Sequence, residues 1–192
     1  MKSVLISIQP KWCELIASGK KTIEVRKTAP KLKTPFKCYI YETKAKYKKG
    51  TGIFAYGIEL KGTAQGIGKV IGEFVCDRID KIKCKENGAG NYWHEWDNED
   101  FDYKDMCLSE KELENYLGLS YGYAWYISAL KIYDTPKELG EFRRPCPNRS
   151  TEKIFDCVAG IKSCKYKTKE LPFQCVAQIT QPFQSWGYVE TV

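Results

Sequence analysis

The chain opens on a β-branched, alternating run, Ser3–Ile8 (SVLISI), that predicts a strand. Pro10 follows, a residue suited to the first turn of a helix. Trp12, Leu15 and Ile16 then fall at helical spacing, and Gly19 stands where a left-handed terminator belongs. Lys21–Lys27 (KTIEVRK) alternates again and predicts a second strand, closed off by Pro30 and Pro35, and Phe36–Lys44 predicts a third. The basic, glycine-bearing residues 46–66 read as a long loop or hairpin. Gly68–Ile82 carries apolar Val70, Ile71, Phe74, Val75, Ile79 and Ile82 and reads as a strand, with Gly72 marking a bulge.

Later elements are less regular. The acidic stretch after Ile82 has no period until Ser109, which with Glu112 forms a capping box ahead of a helix ended by Gly118. A strand over about Trp125–Tyr133, a turn at Asp134–Pro136 and a short helical piece come next. Residues 143–171 hold no sustained period and read as an insertion; Gln174–Thr180 predicts a strand, and Gln181–Val192 closes the chain. Five or six strands with a few short helices, not strictly alternating, predict an α+β fold with a largely antiparallel or barrel-like sheet. The 192 residues are expected to form a single domain.

Composition narrows the class. With 43% hydrophobic and 14% aromatic residues the chain is globular in type. VLISI is the longest uncharged apolar stretch near its start, which points to a soluble cytoplasmic protein with no membrane partner. Nine cysteines without a secretory signal predict reduced thiols. Cys13, Cys38, Cys76 and Cys107 read as small core residues. Cys146, Cys157, Cys164 and Cys175 lack the close C-x-x-C pairing of zinc knuckles and read as structural thiols, so no metal or other cofactor is expected. Charge is uneven: residues 1–50 hold thirteen Lys/Arg against three acids, +10, and residues 91–115 nine acids against two lysines, −7. One face should attract phosphates and another repel them.

The candidate chemistry sits at the second strand. Alternation puts Thr22, Glu24 and Arg26 on one face and Ile23 and Val25 on the other, with Lys21 at the entrance. Glu24 can fix Arg26 so that its planar fork meets a phosphate or base edge. Alternatively, Glu24 accepts from the amino group of a base while Lys21 and Arg26 meet phosphate. An exposed surface pair worth under about 1 kcal/mol is the third reading. Lys21 could serve as nucleophile or base only with a lowered pKa, which Lys20, Arg26 and Lys27 favour and Glu24 opposes. Near the C-terminus, Gln181, Gln184, Ser185 and Trp186 supply amides, a hydroxyl and an aromatic plane suited to an unpaired base. Gln9 lies near the opening turn. The single histidine, His94, is expected in an exposed acidic loop.

Gly19, Lys21, Glu24 and Arg26 spell Gly-x-Lys-x-x-Glu-x-Arg, and the chain here resembles the ASCH domain, a branch of the PUA-like superfamily. The likeness continues through Gly68–Ile79, Tyr123–Phe142 and Gln181–Val189, and the chain looks like the ASCH proteins often carried by phages and prophages of Gram-positive bacteria. Tyr126, Phe183 and Gly187 depart from it, standing where histidine, proline and cysteine are usual. The resemblance implies a small PUA-like β-barrel whose helix–strand turn borders a cleft, in a family generally thought to bind RNA or handle nucleosides. The implied nucleic-acid site comprises Gln9, Lys20, Lys21, Glu24, Arg26, Lys27, Gln184, Ser185 and Trp186, with RNA or a nucleotide as partner. Gly19–Ile23 (GKKTI) is also similar to the turn of N4-acetylcytidine amidohydrolases, which would make Lys21 the catalytic lysine of a hydrolase acting on N4-acetylcytidine or on RNA itself, with Glu24 handling protons. Those enzymes have threonine where Glu24 stands, and their acidic residue would be met by Asp105 or Glu110. An accessory role, binding a host protein through the acidic 91–115 segment, is the remaining alternative.

Overall fold

The computed structural model describes residues 2–49, 62–86, 92–96, 103–144 and 179–191. Strand β1 (Ser3–Ile8) is buried along its whole length, because β3 (Phe36–Glu42) pairs parallel on one side and β10 (Trp186–Thr191) antiparallel on the other. The remaining ladders are antiparallel. Helix α1 (Pro10–Ala17) lies between β1 and β2 (Ile23–Arg26), and its Cys13 and Ile16 pack on Val4, Ile6 and Ile8. Gly19 closes it at φ +72°, the left-handed conformation expected of a terminator there.

The long strands β6 (Val70–Glu86) and β8 (Gly122–Lys137) form the middle of the sheet. With the two-residue β9 (Phe142–Arg143), the order is β2-β8-β6-β3-β1-β10-β9, and β7 (Tyr92–Trp96) adds to β6. The ladder is an open path among the described residues. Mostly strands with a few short helices, it is α+β and PUA-like as expected. Within 46–66, β4 (Lys46–Lys49) and β5 (Gly62–Gln65) pair as a separate ribbon. The register shifts at Gly72, where the glycine suggested a bulge.

Two expectations are corrected. Asp134–Pro136 is not a turn: β8 continues through it to Lys137, which pairs with Val70. Ile132 pairs with Gly72 and Lys137 with Val70, so the turn-type residues form the longer side of a register shift within the strand. His94 is not in an exposed loop; it is 6% exposed on β7, opposite Cys84, where aromatic neighbours make a strand within the acidic stretch. Most of the strand expected over Gln174–Thr180 and of the 143–171 insertion, together with Cys146, Cys157, Cys164 and Cys175, lies outside the described residues.

Two short helices build the second core. Helix α2 (Tyr103–Met106) precedes α3 (Glu110–Leu117), which begins in the expected Ser109–Glu112 capping box. Leu113 and Leu117, four apart, turn inward with Met106 onto Ile23 and Val25 of β2. Strand β2 therefore spends its apolar side on this core, and its polar side faces α1 and the main core around Trp125. Cys13, Cys38, Cys76 and Cys107 are free, buried thiols. Burial pushes the Cys76 thiol up to about 12, which makes it an inert packing residue. Among the described residues, no helix is long and apolar enough to cross a membrane.

Candidate functional site

The backbone between α1 and β2 is pinned at both ends. Gly19, Lys20 and Lys21 donate backward to the α1 carbonyls of Ile16 and Leu15, and Thr22 donates to the carbonyl of Asp105 before α2 ends. Pinning the turn delivers Lys21 into the interior, where it is 2% exposed and its Nζ donates to the Met106 carbonyl at 2.5 Å. Nζ also lies 3.4 Å from Glu24 Oε2 and 5.1 Å from the Trp12 ring centre. Burial holds the Lys21 pKa below the ordinary lysine value against the pull of Glu24.

Glu24, 3% exposed, is gripped from both sides. Arg26 Nη1 meets its other oxygen, Oε1, at 2.9 Å, and Arg26 Nη2 donates to the Ser7 carbonyl at 2.6 Å. The Arg26 fork thus serves the carboxylate and β1, while its Nε is buried with no hydrogen-bond partner among the described residues. Three charged side chains, Lys–Glu–Arg, form a fixed array that neither solvent nor conformational freedom dilutes.

The array opens into a cleft of about 360 Å³, at the small end of the roughly 300–1,000 Å³ typical of ligand sites. Lys21, Glu24 and Arg26 are in its lining with Trp12 and Lys11 of α1, and Leu108, Glu112, Asn115 and Tyr116 from the start and outer face of α3. Lys11 lies 4.0 Å over Trp12, and Lys27 lies 5.4 Å over Tyr116. Partial burial lowers the Lys11 pKa, and Glu112 opposes that shift.

The structure gathers Lys21, Glu24 and Arg26 at this cleft and leaves Lys20 and Lys27 exposed on the flanking backbone. Gln9, Gln184, Ser185 and Trp186 do not line it. Gln9 is the exposed N-cap of α1; the Ser185 carbonyl accepts from Ser7 N–H; Gln184 is exposed. Trp186 donates from Nε1 to Thr28 Oγ1 at 3.0 Å and packs against Trp125 and Tyr188. Of the acids considered, Asp105 contributes its backbone carbonyl to Thr22 and Glu110 is exposed. The sequence reading missed Asn115 and Tyr116. Their signal was present: in a helix whose Leu113 and Leu117 turn inward, positions 112, 115 and 116 form the opposite face. No group of three or more His, Cys, Asp or Glu suited to a metal ion occurs among the described residues.

A PUA-like α+β domain with a strand–helix–strand turn at the edge of a polar cleft is the class these features define. The ASCH domain family matches residues 6–116, and the chain belongs to that family, whose members are generally thought to bind RNA. The chain is similar in structure to ASCH from Zymomonas mobilis, at 20% identity over 71% of this chain and 73% of that chain, with a TM-score of 0.48. A serine-to-alanine mutant of the same Zymomonas mobilis protein aligns over 98% of this chain and 88% of that chain, at 17% identity and a TM-score of 0.50, a likeness of fold. No curated protein sequence matches the chain.

Proposed function

We propose that the chain binds RNA by taking one base, or one modified nucleotide, into the Lys21–Glu24–Arg26 cleft. The observation that carries this reading is a carboxylate held at both oxygens between two cations, within a cleft lined by Trp12 and Tyr116. A fixed carboxylate is an acceptor for the amino edge of a base, and the two aromatic rings supply stacking surface. The Arg26 fork is spent on Glu24 and Ser7, so phosphate contact falls to Lys11 in the lining and to the exposed Lys20 and Lys27 on the flanking backbone. Arg26 acts as the positioning residue for Glu24.

Binding of a labelled single-stranded RNA, followed by polarisation at several salt concentrations, tests this. Affinity should fall as salt rises, since Lys11, Lys20 and Lys27 release counterions. Arg26→Ala frees Glu24 to rotate and should weaken binding about tenfold, the equivalent of ~1.4 kcal/mol. Equal affinity in Arg26→Ala and wild type would reject the reading.

A second reading is supported by the desolvated Lys21, whose lowered pKa enlarges the neutral fraction an amide-cleaving amine needs. Under it, the cleft hydrolyses an acylated cytidine, with Lys21 activated and Glu24 handling protons. Turnover of N4-acetylcytidine that disappears in Lys21→Ala would establish it, and a wild-type protein without turnover would remove it.

A further inference from the structure

Beyond the cleft, the far ends of β6 and β7 carry a row of lysines flanked by exposed rings. Lys81, Lys83 and Lys85 alternate along β6 and therefore project from one face. Their cross-strand partners on that face are Tyr123 for Lys81, Glu95 for Lys83 and Trp93 for Lys85. Ile82, between the first two lysines, points the other way into the core beneath α3. Lys85 Nζ lies 3.3 Å from Glu95, an exposed pair that leaves both groups in water.

Aromatic surface is concentrated beside these lysines. Seven large hydrophobics are exposed among the described residues, and five of them, Tyr92, Trp93, Tyr116, Leu119 and Tyr121, belong to β7 or to the end of α3 and the turn after it. Tyr121 is 57% exposed with Lys81 Nζ 3.9 Å from its ring centre. Tyr92, Leu119 and Tyr121 line a depression of about 430 Å³ together with Lys85 and Glu86. Tyr123, the cross-strand neighbour of both Lys81 on β6 and Arg26 on β2, joins the lysine row to the Arg26 side of the cleft.

We infer that this lysine-bearing, aromatic surface is a second nucleic-acid site, a track that takes the nucleotides of a single-stranded RNA continuing out of the cleft. The inference rests on the cleft reading for its direction and adds the form of the ligand. Exposed rings stack unpaired bases whatever their identity, and lysines at every second position follow a phosphate backbone. A duplex offers no free base faces to Trp93 or Tyr121.

The test compares a dinucleotide with a single-stranded RNA of about nine nucleotides, within the site sizes such surfaces cover. The longer RNA should bind more tightly. Trp93→Ala combined with Tyr121→Ala should weaken it about tenfold and leave the dinucleotide within about twofold. Lys81→Gln and Lys85→Gln should each lower the salt slope by about 0.7. Tyr121→Phe keeps the ring and should bind as wild type, which separates stacking from damage to the fold.

Arg26→Ala distinguishes the two readings, because it should weaken both lengths. If it does so while the track variants are silent, the track is overturned and the cleft stands. If the track variants weaken the long RNA while Arg26→Ala is silent, the track stands and the cleft reading falls. Equal affinity for single strand and duplex overturns the track, as does a concentration-dependent self-association through Trp93 with no change in RNA affinity. Absence of RNA binding altogether overturns both.

Discussion

Replacing Glu24 with alanine should destabilise the folded protein by about 3–5 kcal/mol, the usual consequence of deleting one partner from a buried ionic group. Glu24 meets two cations, Lys21 and Arg26, in surroundings that expose it by only 3%. Without it, Lys21 keeps the Met106 carbonyl and can lose its proton more readily, since burial already depresses its pKa. A guanidinium has no such escape, and Arg26 retains the Ser7 carbonyl alone. Glu24→Gln preserves an acceptor and should lose less. Urea unfolding of the three proteins reads the difference. A loss below about 1 kcal/mol for Glu24→Ala would mean that the group behaves as a solvated surface pair.

The second large effect is expected at Trp125. This side chain is fully buried at the crossing of the site and the core: its β8 position pairs with Glu24 on β2, and its ring contacts Phe36 edge-on at 6.0 Å and Trp186 at 5.8 Å. Trp125→Ala should cost about 3–5 kcal/mol through lost contacts and the cavity left behind. Trp125→Phe should cost far less. The indole N–H has no hydrogen-bond partner among the described residues, so phenylalanine gives up volume but also removes a buried unsatisfied donor. Thermal melting of both variants checks this ordering, and a Phe variant as damaged as the Ala variant would contradict it. Because Trp125 supports the back of β2, Trp125→Ala should also weaken RNA binding.

The parts of the fold governed by local chemistry were legible in the sequence. Pro10, the helical spacing of Trp12, Leu15 and Ile16, and Gly19 mark α1 and its stop, while Ser109 with Glu112 marks α3. What escaped depends on pairing over long distances. Asp134–Pro136 carries turn chemistry but lies within β8, in the register shift between the Ile132–Gly72 and Lys137–Val70 pairs, and YWHEW is strand because β6 extends far enough to receive it. The same division holds at the site. Alternation in Lys21–Lys27 separates Ile23 and Val25 from Glu24 and Arg26, and the cleft edge follows from the family turn. Burial of that polar side does not follow from alternation, because two cores enclose β2 and only their packing removes the solvent. Nor could the sequence show that Arg26 spends its fork on Glu24 and Ser7, a carbonyl nineteen residues earlier in the chain.

RNA held as proposed in the Lys21–Glu24–Arg26 cleft would leave a local signature on the groups that line it. Amide and indole chemical shifts of the isotope-labelled protein, recorded while a single-stranded RNA is added, test it most directly. Binding in the cleft should give the largest changes at the Trp12 indole and at Val25, Arg26, Asn115 and Tyr116, with those at Trp12, Asn115 and Tyr116 needing about tenfold more RNA in Arg26→Ala. Changes confined to the Lys37–Glu73–Tyr133 cluster on the β3–β6–β8 part of the sheet, with Trp12 and Arg26 unmoved, would contradict it.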